Sequence, residues 1–214
     1  MLDSNYFAQL TTNRKDEVIT VATVYHEGPR VPSFSKCYTP EWVDKLYRGV
    51  QRNYSKPFRF VCLVDKDGYK FEENIETERL WTTEWSKACT QLYGIVADRL
   101  VLFGLDTIIT GNLDDIFSYS GDLAVPRDPY NPMQPCNGVV LCPSRPDIAV
   151  LGGIDMRVLD NFKKDWLDDL FPRRIKSYKV HVLTHGLEDA SIVYFHGEPK
   201  PHVLQDAWVA ENWK

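Results

Sequence analysis

The sequence predicts an α/β fold, with a mostly parallel central sheet flanked by helices. Two observations predict it. Short apolar runs rich in β-branched residues recur along the chain, and segments with helical spacing alternate with them. In such sheets ligands gather at the carboxyl ends of the strands. Three runs here end on residues with useful chemistry, Tyr25, Asp65 and Asp106. A length of 214 residues suits one domain spanning 1–214. It is also enough to bury a core and keep a cleft.

The elements follow in order. Val18 to Tyr25 reads as a buried strand, and a loop with Gly28, Pro29 and Pro32 follows. Thr39-Pro40-Glu41 opens a helix, with Thr39 as N-cap and proline in the first turn. Val43, Leu46, Tyr47 and Val50 give that helix an apolar face. Phe58 to Val64 is a second strand, Ile75 to Trp81 a weaker one, and Glu84 to Val96 a helix. Arg99 to Phe103 is a central strand, Thr107 to Thr110 stays extended, and Asn112 to Phe117 is a short capped helix. Val139 to Cys142 is a strand, and Asp155 to Phe162 and Asp165 to Phe171 are helical. Ser177 to His181 alternates as a strand, with Ser177, Lys179 and His181 on one face. Ser191 to Phe195 is a late strand, and a helix near Asp206 to Trp213 ends the chain.

Composition narrows the function. Hydrophobic residues make up 43% and charged residues 26%, as in ordinary soluble proteins. A net charge of -5 argues against general affinity for nucleic acid. The five cysteines form no C-x-x-C pair and read as reduced thiols, which points to the cytoplasm. The polar first seventeen residues do not read as a signal peptide, and no apolar stretch reaches membrane-spanning length.

Two stretches carry chemistry. Arg99 to Phe117 delivers a carboxylate, Asp106, at a strand end; hard oxygens there suit Mg²⁺ or Mn²⁺ carrying a diphosphate. A turn residue is the alternative reading of one such aspartate. Ile192 to His202 delivers His196, then Gly197, where backbone can approach a ligand, then Lys200 between two stiffening prolines. An imidazole and an ammonium on one rigid loop suit a metal-diphosphate.

Together these stretches resemble glycosyltransferase family 8 and its bacterial and phage relatives, which have the GT-A fold. FGLDTIITGNLDDIF and FHGEPKPH occupy the places of that family's D-x-D strand and its His-Gly, Lys-Pro ending. CNGVVL resembles the strand beside the donor sugar, GGIDMRVL the segment whose aspartate lies near the anomeric carbon, and WSK the lysine-bearing helix. The resemblance runs from Val18 to Trp213. It implies a single GT-A domain that moves a sugar, a hexose in this reading, from a UDP-linked donor with retention. The acceptor is left open among glycan, small molecule and modified nucleobase.

The same resemblance implies roles. Asp106 and His196 hold Mn²⁺ or Mg²⁺. Thr23, Tyr25, Asp65, Lys87, Leu105, Asp106, Asn137, Gly138, Gly197 and Lys200 bind the donor. Asp155 is catalytic, stabilising the developing cation or orienting sugar hydroxyls. For Thr23, Tyr25 and Asp65, strand-end packing or a structural turn is an equal or near-equal alternative. One departure stands out: the first acid of D-x-D is Gly104, so the motif reads Gly104-Leu105-Asp106. That departure supports a rival, a weak or non-catalytic sugar-nucleotide or partner-binding module. A nucleotidyltransferase fits less well, since Val21 to Arg30 has one glycine where a Gly-rich loop is needed.

Overall fold

The computed structural model describes residues 18–27, 33–153 and 155–214, without the side chains of Phe34, Trp85, Ser86 and Asp155. The amino-terminal segment and the Gly28-Pro29-Pro32 loop lie outside the described residues. Ten strands are described: β1 (Ile19–Tyr25), β2 (Phe58–Val64), β3 (Glu76–Arg79), β4 (Leu100–Phe103), β5 (Ile108–Ile109), β6 (Ala124–Val125), β7 (Val139–Cys142), β8 (Asp165–Trp166), β9 (Ile175–Ser177) and β10 (Ile192–Tyr194). Among them run α1 (Pro40–Asn53), α2 (Trp85–Gln91), α3 (Pro146–Ala149), α4 (Asp155–Leu159), α5 (Leu167–Leu170), α6 (Leu183–His185) and α7 (Ala207–Asn212).

The main sheet has seven strands in the order β3-β2-β1-β4-β7-β6-β8. β3, β2, β1 and β4 are parallel, and β7 runs against both β4 and β6. A smaller sheet, β5-β10-β9, stands beside it. The expected α/β class with a mostly parallel sheet is therefore what the chain forms.

β1 is buried along nearly its whole length because both its faces are covered. Ile19, Val21 and Tyr25 join one core with Trp42, Val43, Leu46 and Val50 of α1. Ala22 and the half-buried Val24 join another core, with Ala88 of α2, Leu92 and Tyr93. Period-two alternation thus assigns odd and even positions of β1 to opposite layers. α1 begins as read, with Pro40 at its first turn; Thr39 stands at the N-cap in an extended conformation but makes no side-chain capping bond.

Several elements depart from the reading. The segment after Gln91 tightens into a 3₁₀ turn, Leu92–Gly94, so the helix is shorter than expected. Ile116–Ser118 is also 3₁₀, with Asp115 accepting from the Ile116 N–H at 3.0 Å. Asp165–Trp166 is a short strand beside β6, and only Leu167–Leu170 is helical. Helix α4 ends at Leu159. The largest correction is at Ser177. The strand stops there and Tyr178–Val182 forms a wide π-type turn. The Ser177 hydroxyl accepts from the Val180 N–H at 3.3 Å, a local side-chain-to-backbone bond that competes with strand continuation. Among the described residues no helix is long and apolar enough to cross a membrane.

Candidate functional site

Two cavities of similar volume open on the main sheet. One, of about 300 Å³, lies where β1 and β4 begin, beside Asp98, Arg99 and Tyr119. The other, of about 310 Å³, lies at the carboxyl ends of β1 and β4, the place where open α/β sheets hold ligands. Val24 and His26 enter it from β1, and Leu102 to Asp106 from β4. Asn137 and Gly138 enter just before β7, which starts where β4 ends because the two run antiparallel. Phe195, His196, Gly197 and Lys200 close it from the segment after β10. The wall from α2 and its following turn is mainly apolar, with Ala88, Cys89, Leu92 and Tyr93. An apolar pocket with a few convergent polar groups is the ordinary form of a small-molecule site.

Asp106 and Lys200 are the centre of its electrostatics. Their side chains form an ion pair and are 7% and 2% exposed. The Tyr38 hydroxyl donates to the same carboxylate oxygen at 2.8 Å. Burial, and then the Asp106 charge, push the Tyr38 phenol well above its ordinary range, so it stays protonated and donates. The Lys200 ammonium also lies 5.5 Å from the Tyr38 ring centre. A buried charge needs this kind of compensation.

The loop that carries Lys200 is fixed by its neighbours. Gly197 has φ +63°, a left-handed conformation natural to glycine, and a Cβ there would lie 3.3 Å from the Lys179 ammonium nitrogen. Lys200 itself is extended, and buried Pro201 starts a 3₁₀ turn after it. His196 shares a 2.8 Å hydrogen bond between Nε2 and the Ser177 hydroxyl. Burial first, then the Lys179 charge, lower its pKa below the usual imidazole value.

Gly138 is required by packing. A Cβ there would sit 2.8 Å from three carbons of Tyr194. Its carbonyl accepts from the Gly104 N–H at 3.1 Å and ties the turn after β4 to the strand beside it.

Leu105, Asp106, Asn137, Gly138, His196, Gly197 and Lys200 therefore meet in one cavity. Thr23, Tyr25 and Asp65 do not line it. Thr23 is fully buried and its hydroxyl donates to the Phe103 carbonyl at 3.0 Å, while Tyr25 packs with the α1 layer. Asp65 accepts from the Tyr69 hydroxyl at 2.8 Å and from the Glu27 N–H at 3.3 Å. Lys87 pairs with Glu84 at 2.9 Å, and its stem lies where a Cβ at Gly152 would meet it at 3.2 Å. Asp155 opens α4, and its side chain lies outside the described residues; the next residue, Met156, lines the cavity.

Tyr38, His26 and Asp128 are among the cavity residues missed by reading the sequence. Tyr38 precedes the α1 N-cap, and nothing local marks it as a partner of Asp106. His26 lines the cavity with both ring nitrogens buried and, among the described residues, without hydrogen-bond partners. Its place one residue after β1, in phase with Val24, was the available signal.

The carboxylate and imidazole donors that line the cavity are Asp106, Asp128, His26 and His196. Asp106 already accepts from an ammonium and a phenol on one oxygen, and His196 Nε2 is engaged with Ser177. Among the described residues no group of three His, Cys, Asp or Glu side chains is placed to hold a metal.

No family model matches the chain, and no curated protein matches it. Solved structures do. The galactosyltransferase LgtC, in complex with donor and acceptor sugar analogs, superposes with a TM-score of 0.59 at 12% identity, over 90% of this chain and 93% of that one. The glycosyltransferase GlyE of Streptococcus pneumoniae TIGR4 gives 0.60 at 14% identity, and the bifunctional glycosyltransferase WbbM gives 0.54 at 12%. The match covers 89% and 88% of this chain but only 57% of GlyE and 47% of WbbM. The fold is the GT-A type of these glycosyltransferases. At such low identity the likeness shows the fold alone.

Proposed function

We propose that the chain is a glycosyltransferase that binds a nucleotide-sugar donor, UDP-linked in this reading, in the cavity at the carboxyl ends of β1 and β4. The observation that carries the reading is a buried ammonium, Lys200, held over the end of a central strand in a mostly apolar cavity. Asp106 offsets this charge in the structure, and in this reading an anionic ligand draws on it as well. The leaving group of a nucleotide sugar is a diphosphate, and its charge grows as the glycosidic bond breaks. A fixed cation at that point lowers the barrier without reorganising. Asp106 and Tyr38 hold the ammonium in position. His26 brings to the wall two ring nitrogens that have no hydrogen-bond partner among the described residues, and in this reading a base or ribose lies there. Glycine at 138 and 197 keeps the backbone of the wall close to Tyr194 and Lys179.

In this reading the transferred group is a hexose, transfer goes with retention, and the departing phosphate takes the acceptor proton. Asp155 serves the developing cation from the start of α4. Asp155→Asn is then expected to lower turnover by about 10²–10³-fold while donor affinity changes little, because the interaction is made mainly in the transition state. Near-normal turnover of that variant would make Asp155 structural.

The rival reading, a sugar-nucleotide-binding module without catalysis, is supported by Gly104 and by the engagement of Asp106 with Lys200. One experiment separates the two. A panel of nucleotide sugars is screened by thermal shift, since a ligand of the folded state raises the melting temperature by mass action. Donors that bind are then assayed for hydrolysis. Binding with slow release of the nucleoside diphosphate supports the enzyme; binding without release supports the module; a flat screen removes both.

A further inference from the structure

Where the resemblance expects two acids and a dication at the end of β4, the structure has Gly104 and one acid, Asp106, paired with the Lys200 ammonium; Asp128 lines the cavity as well. One oxygen of the carboxylate that would hold a metal is occupied, since Asp106 Oδ2 accepts from both Tyr38 and Lys200. A dication on that carboxylate would sit within a few ångströms of the ammonium, in surroundings where both side chains are almost entirely buried and like charges are poorly screened.

A second ammonium completes the picture. Lys179, from the turn after β9, places its nitrogen 3.3 Å from where a Cβ on Gly197 would lie, next to the cavity rather than in its lining. Two ammonium groups from different segments therefore flank the His196 to Lys200 corner. The backbone of that corner is set by Gly197 at positive φ and by the turn that follows Pro201. Lys200 is held by Asp106, itself bonded to Tyr38, before any ligand arrives, which is the condition for electrostatic stabilisation without reorganisation.

We propose that this site binds its donor diphosphate without a divalent cation, with Lys200 as the fixed positive charge and Lys179 as its second. The proposal rests on the nucleotide-sugar reading above and adds the nature of the cation to it.

The test is calorimetry of UDP binding to the full chain, in EDTA and then in Mn²⁺ or Mg²⁺. The expected result is an affinity equal within about twofold in all three. Lys200→Gln is expected to weaken UDP by tenfold or more whether or not metal is present, and Lys179→Gln by a smaller factor. Lys200→Gln leaves a buried carboxylate without its ammonium and can fail to fold, so Asp106→Asn/Lys200→Gln is measured as well. That double variant removes both charges together. If Lys200 serves the diphosphate, the double variant melts near the native temperature and still binds UDP poorly; if Lys200 serves only Asp106, binding returns to the native level and the proposal falls. A tenfold or greater gain in native affinity on adding Mn²⁺ also overturns it, while leaving the nucleotide-sugar reading intact. Absence of UDP binding in every condition overturns both, and the two failures are thereby told apart.

Discussion

Two strand-end carboxylates differ more than their sequences do. Asp65 follows β2 and Asp106 follows β4, each after an apolar run in the parallel part of the sheet. Asp65 is half-buried and accepts from the Tyr69 hydroxyl, four residues on, and from the N–H of the exposed Glu27, 38 residues back. Asp106 is buried and bonded to Tyr38, 68 residues away, and to Lys200, 94 residues away. A carboxylate becomes a site when distant segments converge on it, and the strand that carries it does not decide the matter.

The largest expected effect tests that contrast by mutation. Asp106→Ala leaves the Lys200 ammonium buried without its partner and is expected to cost about 3–5 kcal/mol of stability. Asp65→Ala removes two hydrogen bonds at a half-exposed place and is expected to cost about 1–3 kcal/mol. Urea denaturation of both variants checks the difference, and equal losses would erase the distinction.

Packing around the Asp106 turn sharpens it further. Gly138→Ala drives a methyl to 2.8 Å from Tyr194, and overpacking of this kind costs about 1–3 kcal/mol. Gly104→Ala meets Asp106 Oδ1 at 3.2 Å, a smaller intrusion that a side-chain shift can absorb. The expected order of melting temperatures is native, then Gly104→Ala, then Gly138→Ala. The reverse order would mean that the Asp106 carboxylate is held more rigidly than the core beside Tyr194.

The smallest effect concerns acid. His26, His181 and His196 all have pKa values lowered from 6.5, with burial the first cause in each. As pH falls through about 6.5 the unfolded chain takes up protons that the folded chain resists. Stability is therefore present above 6.5 and declines below it, until each folded-state pKa is passed. Melting is expected to fall between pH 7.5 and 5, by roughly 2–4 °C for each kcal/mol lost in a chain of this size. His26→Gln is expected to flatten part of the slope. A profile independent of pH would show that these rings are not held neutral by the fold.

Much of the fold was legible because it is written locally. Phe58–Val64 and Val139–Cys142 were bounded as they stand, since β-branched apolar runs flanked by polar residues have few other solutions. The opening of α1 was marked by proline. The two-residue strand Ala124–Val125 and the single turn Pro146–Ala149 were not anticipated, because elements so short show no period. Ser177 to His181 has a true alternation, and a hydroxyl-to-backbone bond overrides it.

The lining of the candidate cavity was legible where motifs are contiguous, at Gly104 to Asp106, Cys136 to Leu141 and Phe195 to Lys200. It was illegible where facing matters. A strand covered on both sides does not announce which parity meets the cavity, so Thr23 and Tyr25 were chosen over Val24 and His26. The Lys200 to Asp106 pair was beyond reach for a different reason. No spacing rule joins residues that only the finished fold brings together.

The central claim is that a nucleotide donor lies in the cavity at the ends of β1 and β4 with its diphosphate at Lys200. A crystal structure of the chain with UDP tests it most directly. The account predicts a diphosphate oxygen within about 3.2 Å of Lys200 Nζ and the nucleoside reaching toward His26. A nucleotide bound elsewhere, with Lys200 still confined to Asp106 and Tyr38, would contradict it.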